Sequence, residues 1–232
     1  MRDMICFAHR GASGHEPENT LLSIQKALDL GSEWIEIDVF PVEDELVVIH
    51  DDNLERTTNG KGSVLQSSLK YLRSLDAGKG QQIPYLHEIF DIIGSRAKLN
   101  IELKWIDTVE RVMSTIEEYV KNHGWTYERL LISSLFHDEV KKAKSLLPEI
   151  MTAPVFLGPT PDDFIKIAKD LQSYSMSMDI DYINGEIVEK AHQIEIKVVV
   201  FTVNTIEDIE KMKNIGVDGV FTNYPELLSQ AE

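Results

Sequence analysis

Apolar positions along the chain follow two alternating periods. A short strand-type run, IleCysPheAla, starts at Ile5, and Leu21, Ile24, Ala27 and Leu28 then recur at helical spacing. That spacing predicts a helix over 18–30, capped by Asn19 or Thr20 and ended at Gly31. TrpIleGluIleAspVal at 34–39 alternates strictly, with Trp34, Glu36 and Asp38 on one face and Ile35, Ile37 and Val39 on the other. ValValIleHis at 47–50 follows too soon for a crossover helix, so a hairpin centred on Asp44 is expected, with Asp38 opposite His50.

Residues 51–84 show weak periodicity, many turn residues and one helical piece at 69–75, and are expected to form an insertion over one end of the domain. Beyond Pro84 the pattern is regular. Helical segments at 86–93, 107–122, 138–147, 162–171, 185–193 and 206–214 alternate with strand-type runs opening at 99, 130, 152, 175, 197 and 218, and a short helix near Pro225 closes the chain. Sustained alternation predicts a parallel sheet with right-handed crossovers, and the number of units fits a closed (β/α)8 TIM barrel spanning 1–232 as a single domain. A doubly wound open sheet is the alternative, but the glycines lack a dinucleotide fingerprint.

Composition adds limits. With 43% hydrophobic and 27% charged residues the chain reads as an ordinary globular protein, and its net charge of -16 argues against nucleic acid or an anionic membrane as partner. The single cysteine, Cys6, lies in the first strand and reads as a buried structural thiol in a reducing compartment. No secretion signal fits ahead of the first strand, and no apolar run approaches the roughly 20 residues that span a bilayer, so a cytoplasmic protein without stable membrane insertion is expected. The oligomeric state is not legible.

In a barrel the C-terminal strand ends converge on one mouth. Strand one brings His9 and Arg10 there, strand two Glu36 and Asp38, and strand three Glu102 and Lys104, while the hairpin returns His50. Converging carboxylates call for a cation, and oxygen ligands suit Mg2+ or Ca2+. Arg10 and Lys104 call for an anion, which a metal-bound phosphate supplies. Two histidines beside such a phosphate can divide acid and base roles, although either alone is better explained as a hydrogen-bonded structural group. Ser133 and Ser134 are candidates to line the mouth, but no histidine–acid relay accompanies them. Phe136 is a wall or core residue. His15 sits beside the first motif, and His87, His123, His137 and His192 read as surface or satisfied side chains.

AlaHisArgGlyAlaSer, ProGluAsnThr, IleGluIleAspVal, ValValIleHisAspAsp, LeuGluArgThrThrAsnGly, AsnIleGluLeuLys and PheThrValAsn, in that order, resemble the glycerophosphodiester phosphodiesterase family over residues 5–225. The resemblance implies a phospholipase-like (β/α)8 barrel that uses a divalent cation to hydrolyse small glycerophosphodiesters to sn-glycerol 3-phosphate and an alcohol. It implies His9 and His50 as the acid/base pair, Glu36, Asp38 and Glu102 as metal ligands, Arg10 and Lys104 as phosphate contacts, and a supporting role for Glu18 and Asn19. A lysophospholipase D-like enzyme and a non-catalytic metal- and phosphate-binding barrel are the alternatives. Phe201 replaces the family's usual tryptophan and is expected to shape an apolar wall, and Asn223 stands where aspartate is common and is expected to alter local hydrogen bonding.

Overall fold

Alternation of strand and helix closes on itself in the computed structural model, which describes residues 4–230. The strands are β1 (Ile5–Ala8), β2 (Trp34–Val42), β3 (Glu45–Val48), β4 (Lys98–Leu103), β5 (Leu130–Ser134), β6 (Met151–Phe156), β7 (Ser175–Asp179), β8 (Lys197–Phe201) and β9 (Gly219–Thr222). They hydrogen-bond in the order β1-β9-β8-β7-β6-β5-β4-β2, and a parallel β1–β2 pairing shuts the ring, with β3 antiparallel on β2. This is the expected (β/α)8 barrel, with the hairpin arm added.

Around it lie helices α1 (Leu21–Asp29), α2 (Leu69–Leu72), α3 (Leu86–Ile93), α4 (Val109–Asn122), α5 (His137–Leu146), α6 (Phe164–Asp170), α7 (Gly185–His192), α8 (Ile206–Asn214) and α9 (Leu227–Gln230). The first starts at Leu21, three residues later than its periodicity suggests. Asn19 sits at φ 56°, a left-handed conformation that cannot enter a helix. Thr20 therefore caps it, and the hydroxyls of Thr20 and Ser23 accept from each other's backbone N–H groups at 3.2 and 3.3 Å.

The two faces of β2 separate as the alternation requires. Ile35, Ile37 and Val39 pack outward against Ile24 and Ala27 of α1 and Ile89 and Phe90 of α3, all buried. Inside the barrel, Phe7, Trp34 and Phe221 stack with ring centroids 5.1 and 4.8 Å apart and join Leu131, Ala153 and Val199 in an apolar plug. His9 follows Phe7, and Glu36 follows Trp34, two residues further along the same strand faces. The ionisable layer thus sits roughly 7 Å above the plug, at the C-terminal ends of the strands.

The hairpin register corrects one expectation. Val42 pairs with Glu45 and Val39 with Val48, so Asp38 faces Ile49, whose N–H donates to the Asp38 carbonyl at 3.0 Å, and not His50. A two-residue turn at Glu43–Asp44, with Glu43 at φ 50°, moves the centre half a residue from Asp44. Segment 51–84 wraps the outer face of this hairpin and buries Leu54, Val64, Leu72 and Ile83 against Phe40 and Val47. Its one helix, α2, is shorter than expected.

Candidate active site

The first turn after β1 is built from unusual backbone. Arg10 adopts φ 55° and Gly11 φ 76°, and a Cβ on Gly11 would lie 2.6 Å from the Ser23 backbone, so only glycine fits. In return the turn is fully bonded. The Arg10 N–H donates to Glu36 Oε2 at 2.9 Å, and its carbonyl accepts from Asn19 N at 3.0 Å and Ser23 Oγ at 2.9 Å. A non-glycine residue held left-handed costs on the order of 1–3 kcal/mol, which such bonding must offset.

Glu36, Asp38 and Glu102 meet above this turn, with one ligand oxygen from each within 4.8 Å of the others. Their row is fixed by register, since Asp38 pairs with Glu102 and Glu102 with Ser133 across adjacent strands. The three carboxylates are not equivalent. Asp38 accepts from Asn19 Nδ2 at 2.8 Å while its N–H reaches Asn19 Oδ1 at 3.3 Å, and it lies 3.4 Å from both Lys104 Nζ and Arg10 Nε. Burial pushes the Asp38 carboxyl up, but the Lys104 and Arg10 charges outweigh it and hold the group at about 2. Glu36 is driven well above the usual carboxylate range, first by burial and then by the neighbouring Asp38 and Glu102 charges. Its Oε1 is buried without any hydrogen-bond partner.

An orphaned carboxylate oxygen beside two more carboxylates is a poor structural arrangement and a good cation cradle. Glu36, Asp38 and Glu102 therefore fit a divalent cation. Hard oxygen donors without cysteine or histidine in the cluster suit the alkaline-earth class.

The bases expected to contact phosphate are engaged with carboxylates. Lys104 donates to Glu102 Oε1 at 2.8 Å, and Arg10 Nη1 donates to Glu18 Oε1 at 2.7 Å. Glu18 also accepts two hydrogen bonds of 2.8 Å from Arg56, whose Nε donates to Asp51, and Asp51 accepts in turn from His50 Nδ1. Burial pushes the Asp51 carboxyl up, yet the Arg56 and His50 bonds hold it at about 2. A chain Arg10–Glu18–Arg56–Asp51–His50 thus runs round one side of the mouth. His50 reaches the site through this chain and not through the hairpin register.

His9, beside Arg10, is bonded to the end of β9, its N–H donating to the Thr222 carbonyl at 2.9 Å and its Nδ1 2.8 Å from Asn223 Oδ1. Burial, with the Arg10 charge beside it, pushes its imidazole down to about 4. Asn204 Oδ1 accepts from the Asn223 N–H at 2.8 Å and fixes that segment. Phe201 is half-buried at the end of β8, edge-on to Phe221 at 6.4 Å, and Phe221 meets His9 at the same distance.

Arg10, Glu18, Asn19, Glu36, Asp38, His50, Glu102 and Lys104 are thus linked by hydrogen bonds and ion pairs at one end of the barrel, with His9 beside Arg10, but the expectation that Ser133 and Ser134 line the mouth fails. Ser133 and Ser134 are fully buried, their hydroxyls donating to Asn100 Oδ1 and the Leu103 carbonyl, so they are structural and do not line an open surface. His137 bonds the Val155 carbonyl at 3.0 Å, His15 Glu226 at 2.7 Å and His192 Asp218 at 2.8 Å, as satisfied side chains should. Cys6 Sγ lies 3.6 Å from the Pro225 carbonyl, and burial pushes its thiol up to about 12, an inert group. Sequence reasoning missed the parts played by Asp51, Arg56 and Asn204. All three lie inside quoted motifs, but spacing does not reveal that Arg56 reaches back to Glu18.

Fold and site together define a (β/α)8 barrel with a cluster of three carboxylates that could hold a cation, and with two histidines nearby. Residues 9–227 match the model of the glycerophosphoryl diester phosphodiesterase family. The chain belongs to that family, and so to the phosphoric diester hydrolases. It is 34% identical to a glycerophosphodiester phosphodiesterase of Caldanaerobacter subterraneus, covering 97% of this chain and 96% of the relative. One from Bacillus altitudinis is also 34% identical, covering 95% and 94%. Among solved structures, a phosphodiesterase from Oleispira antarctica in complex with the product sn-glycerol-3-phosphate superposes with a TM-score of 0.88 at 32% identity, covering 98% of this chain and 96% of that one.

Proposed function

We propose that the protein hydrolyses glycerophosphodiesters to sn-glycerol 3-phosphate and an alcohol, with Mg2+ or Ca2+ held by Glu36, Asp38 and Glu102. The observation that carries this reading is the partnerless, buried Glu36 Oε1 at a cluster of three carboxylates flanked by His9 and His50. A divalent cation bound there supplies positive charge that neutralises the phosphate oxygens and eases attack at phosphorus.

The chain's own residues divide the remaining work. His9, pushed to about 4, is neutral near pH 7 and accepts the proton of the attacking hydroxyl, whether water's or the substrate's own. Asn223 Oδ1 can only accept, so it keeps the proton on Nδ1 and leaves Nε2 as the basic atom. His50, oriented through Nδ1 by Asp51, donates to the leaving oxygen from Nε2. Arg10 and Lys104 lie at the carboxylate layer, where they turn from Glu18 and Glu102 to phosphate oxygens. Glu18 and Asn19 hold Arg10 and Asp38 in place, and Phe201 walls the glycerol side.

No helix among the described residues is long and apolar enough to cross a membrane. With its one inert thiol, the protein is proposed to act as a single catalytic domain in the reducing cytoplasm. The test is release of sn-glycerol 3-phosphate from glycerophosphocholine and glycerophosphoethanolamine with Mg2+, Ca2+ or EDTA. Metal-dependent release supports the reading, and no release with either metal refutes it.

A further inference from the structure

Two of the three clustered carboxylates have a side-chain donor that orients them. Asp38 accepts from the Asn19 amide at 2.8 Å, and Glu102 accepts from Lys104 Nζ at 2.8 Å. Glu36 takes the Arg10 backbone N–H on Oε2, but its Oε1 has no donor. On the neighbouring strand, in register with Glu36, stands Asn100. The alternation of β4 turns Leu99, Ile101 and Leu103 outward into the core under the helices, which leaves Asn100 and Glu102 on the inner face. Asn100 is fully buried there, two residues nearer the apolar plug than Glu102.

The Asn100 amide is half used. Its Oδ1 accepts from Ser133 Oγ at 3.0 Å, and Ser133 is itself fully buried on β5. Its Nδ2 has no hydrogen-bond partner among the described residues. A buried donor or acceptor left unpaired is costly, so either orphan alone would call for an explanation. Here one of each stands at paired positions of adjacent strands, roughly 5 Å apart. Strand β5 lies on one side of β4 and β2 on the other, so an amide bound to Ser133 at one end turns its other end toward Glu36. The reverse orientation of the amide would set Oδ1 against a carboxylate, acceptor against acceptor.

Resting on the proposed cation at this cluster, we infer that Asn100 is a positioning residue of the cation site. Its amide, held by Ser133, is the donor that fixes Glu36 Oε1. A carboxylate oxygen carries two lone pairs, so Oε1 can serve the amide with one and a cation with the other. The terminal torsion of a glutamate is broad, so drawing Oε1 onto the amide asks little of the side chain. Asn100 touches neither substrate nor cation and acts through Glu36. Partners standing behind metal ligands in this way typically set affinity by about 10- to 100-fold.

Calorimetric titration with Mg2+ and with Ca2+, beside thermal unfolding of the metal-free protein, tests this in the parent and in Asn100→Ala, Ser133→Ala and Ser134→Ala. Ser134 is the matched control, because it is equally buried on the same strand and its hydroxyl donates to the Leu103 carbonyl instead. Asn100→Ala should raise the cation Kd about tenfold or more. Ser133→Ala frees the amide to rotate and should raise Kd by a smaller factor, while Ser134→Ala should bind as the parent does. Each serine variant loses one buried hydrogen bond and should lower the metal-free melting temperature alike, so a merely structural role predicts no difference between them in cation affinity.

An unchanged Kd in Asn100→Ala, or two serine variants that bind the cation alike, overturns the inference and leaves the cation site in place. Should Asn100→Ala fail to fold, the comparison of Ser133→Ala with Ser134→Ala decides by the same criterion. A parent protein that binds neither cation overturns the reading of the site and this inference together.

Discussion

His9 Nδ1 and Asn223 Oδ1 face each other at 2.8 Å just beyond the paired strands β1 and β9. The bond spans 214 positions of sequence and decides which nitrogen of His9 is basic. An amide holds the tautomer without adding a charge, so burial and Arg10 are left to keep the ring neutral down to about 4. Asn223→Leu should lower kcat by about 10²-fold with KM little changed. Asn223→Asp should restore most of the rate and move the acidic limb of the pH–rate profile upward, because a carboxylate favours the protonated ring. A purely structural residue would leave the limb in place, and a limb unmoved in Asn223→Asp counts against the assignment.

Glu36 gives a prediction about metal and protons together. Its carboxyl is raised by burial and by two neighbouring carboxylates, so the metal-free folded protein retains a proton there that the unfolded chain has lost. This group's contribution to stability is therefore present below the unfolded carboxylate value and is lost as pH rises through the raised folded value. A cation must displace that proton, so affinity for Mg2+ or Ca2+ should rise with pH and binding should release protons. Calorimetry in buffers of different ionisation enthalpy measures both. Glu36→Gln should abolish the proton release and weaken binding, and unchanged binding would remove Glu36 from the cluster.

Arg56 ties Glu18 to Asp51 and so links the supports of Arg10 and His50. Its side chain is 45% exposed, so removing it should cost less than about 1 kcal/mol of stability. Arg56→Ala should nonetheless lower kcat/KM roughly tenfold, since small misplacements of catalytic groups are costly. Thermal unfolding beside steady-state kinetics separates the two effects. A large loss of stability with normal kinetics would make Arg56 a structural residue only.

The barrel was legible because its signal is periodic. Alternation in 34–39 placed Glu36 and Asp38 inward without any knowledge of partners, and the helical stripe of Leu21, Ile24 and Ala27 named the face that packs. What failed was geometry that depends on one residue. Centring the hairpin on Asp44 put Asp38 opposite His50, whereas the two-residue turn puts Ile49 there. Helix α1 starts later than its spacing predicts because Asn19 leaves the helical region to clamp Asp38. The Arg56 chain is invisible for a different reason. Its members come from two separate segments, Arg10 and Glu18 before α1 and His50, Asp51 and Arg56 after β3, and no single stretch shows that they meet.

The central claim is that His9 and His50 move protons at a phosphodiester held on the carboxylate cluster. The most direct measurement is turnover of glycerophosphocholine by His9→Ala and His50→Ala, with metal affinity determined on the same preparations. Each variant should lose at least about 10²-fold in kcat while binding Mg2+ or Ca2+ as the parent does. Either variant retaining near-parental turnover would contradict the claim.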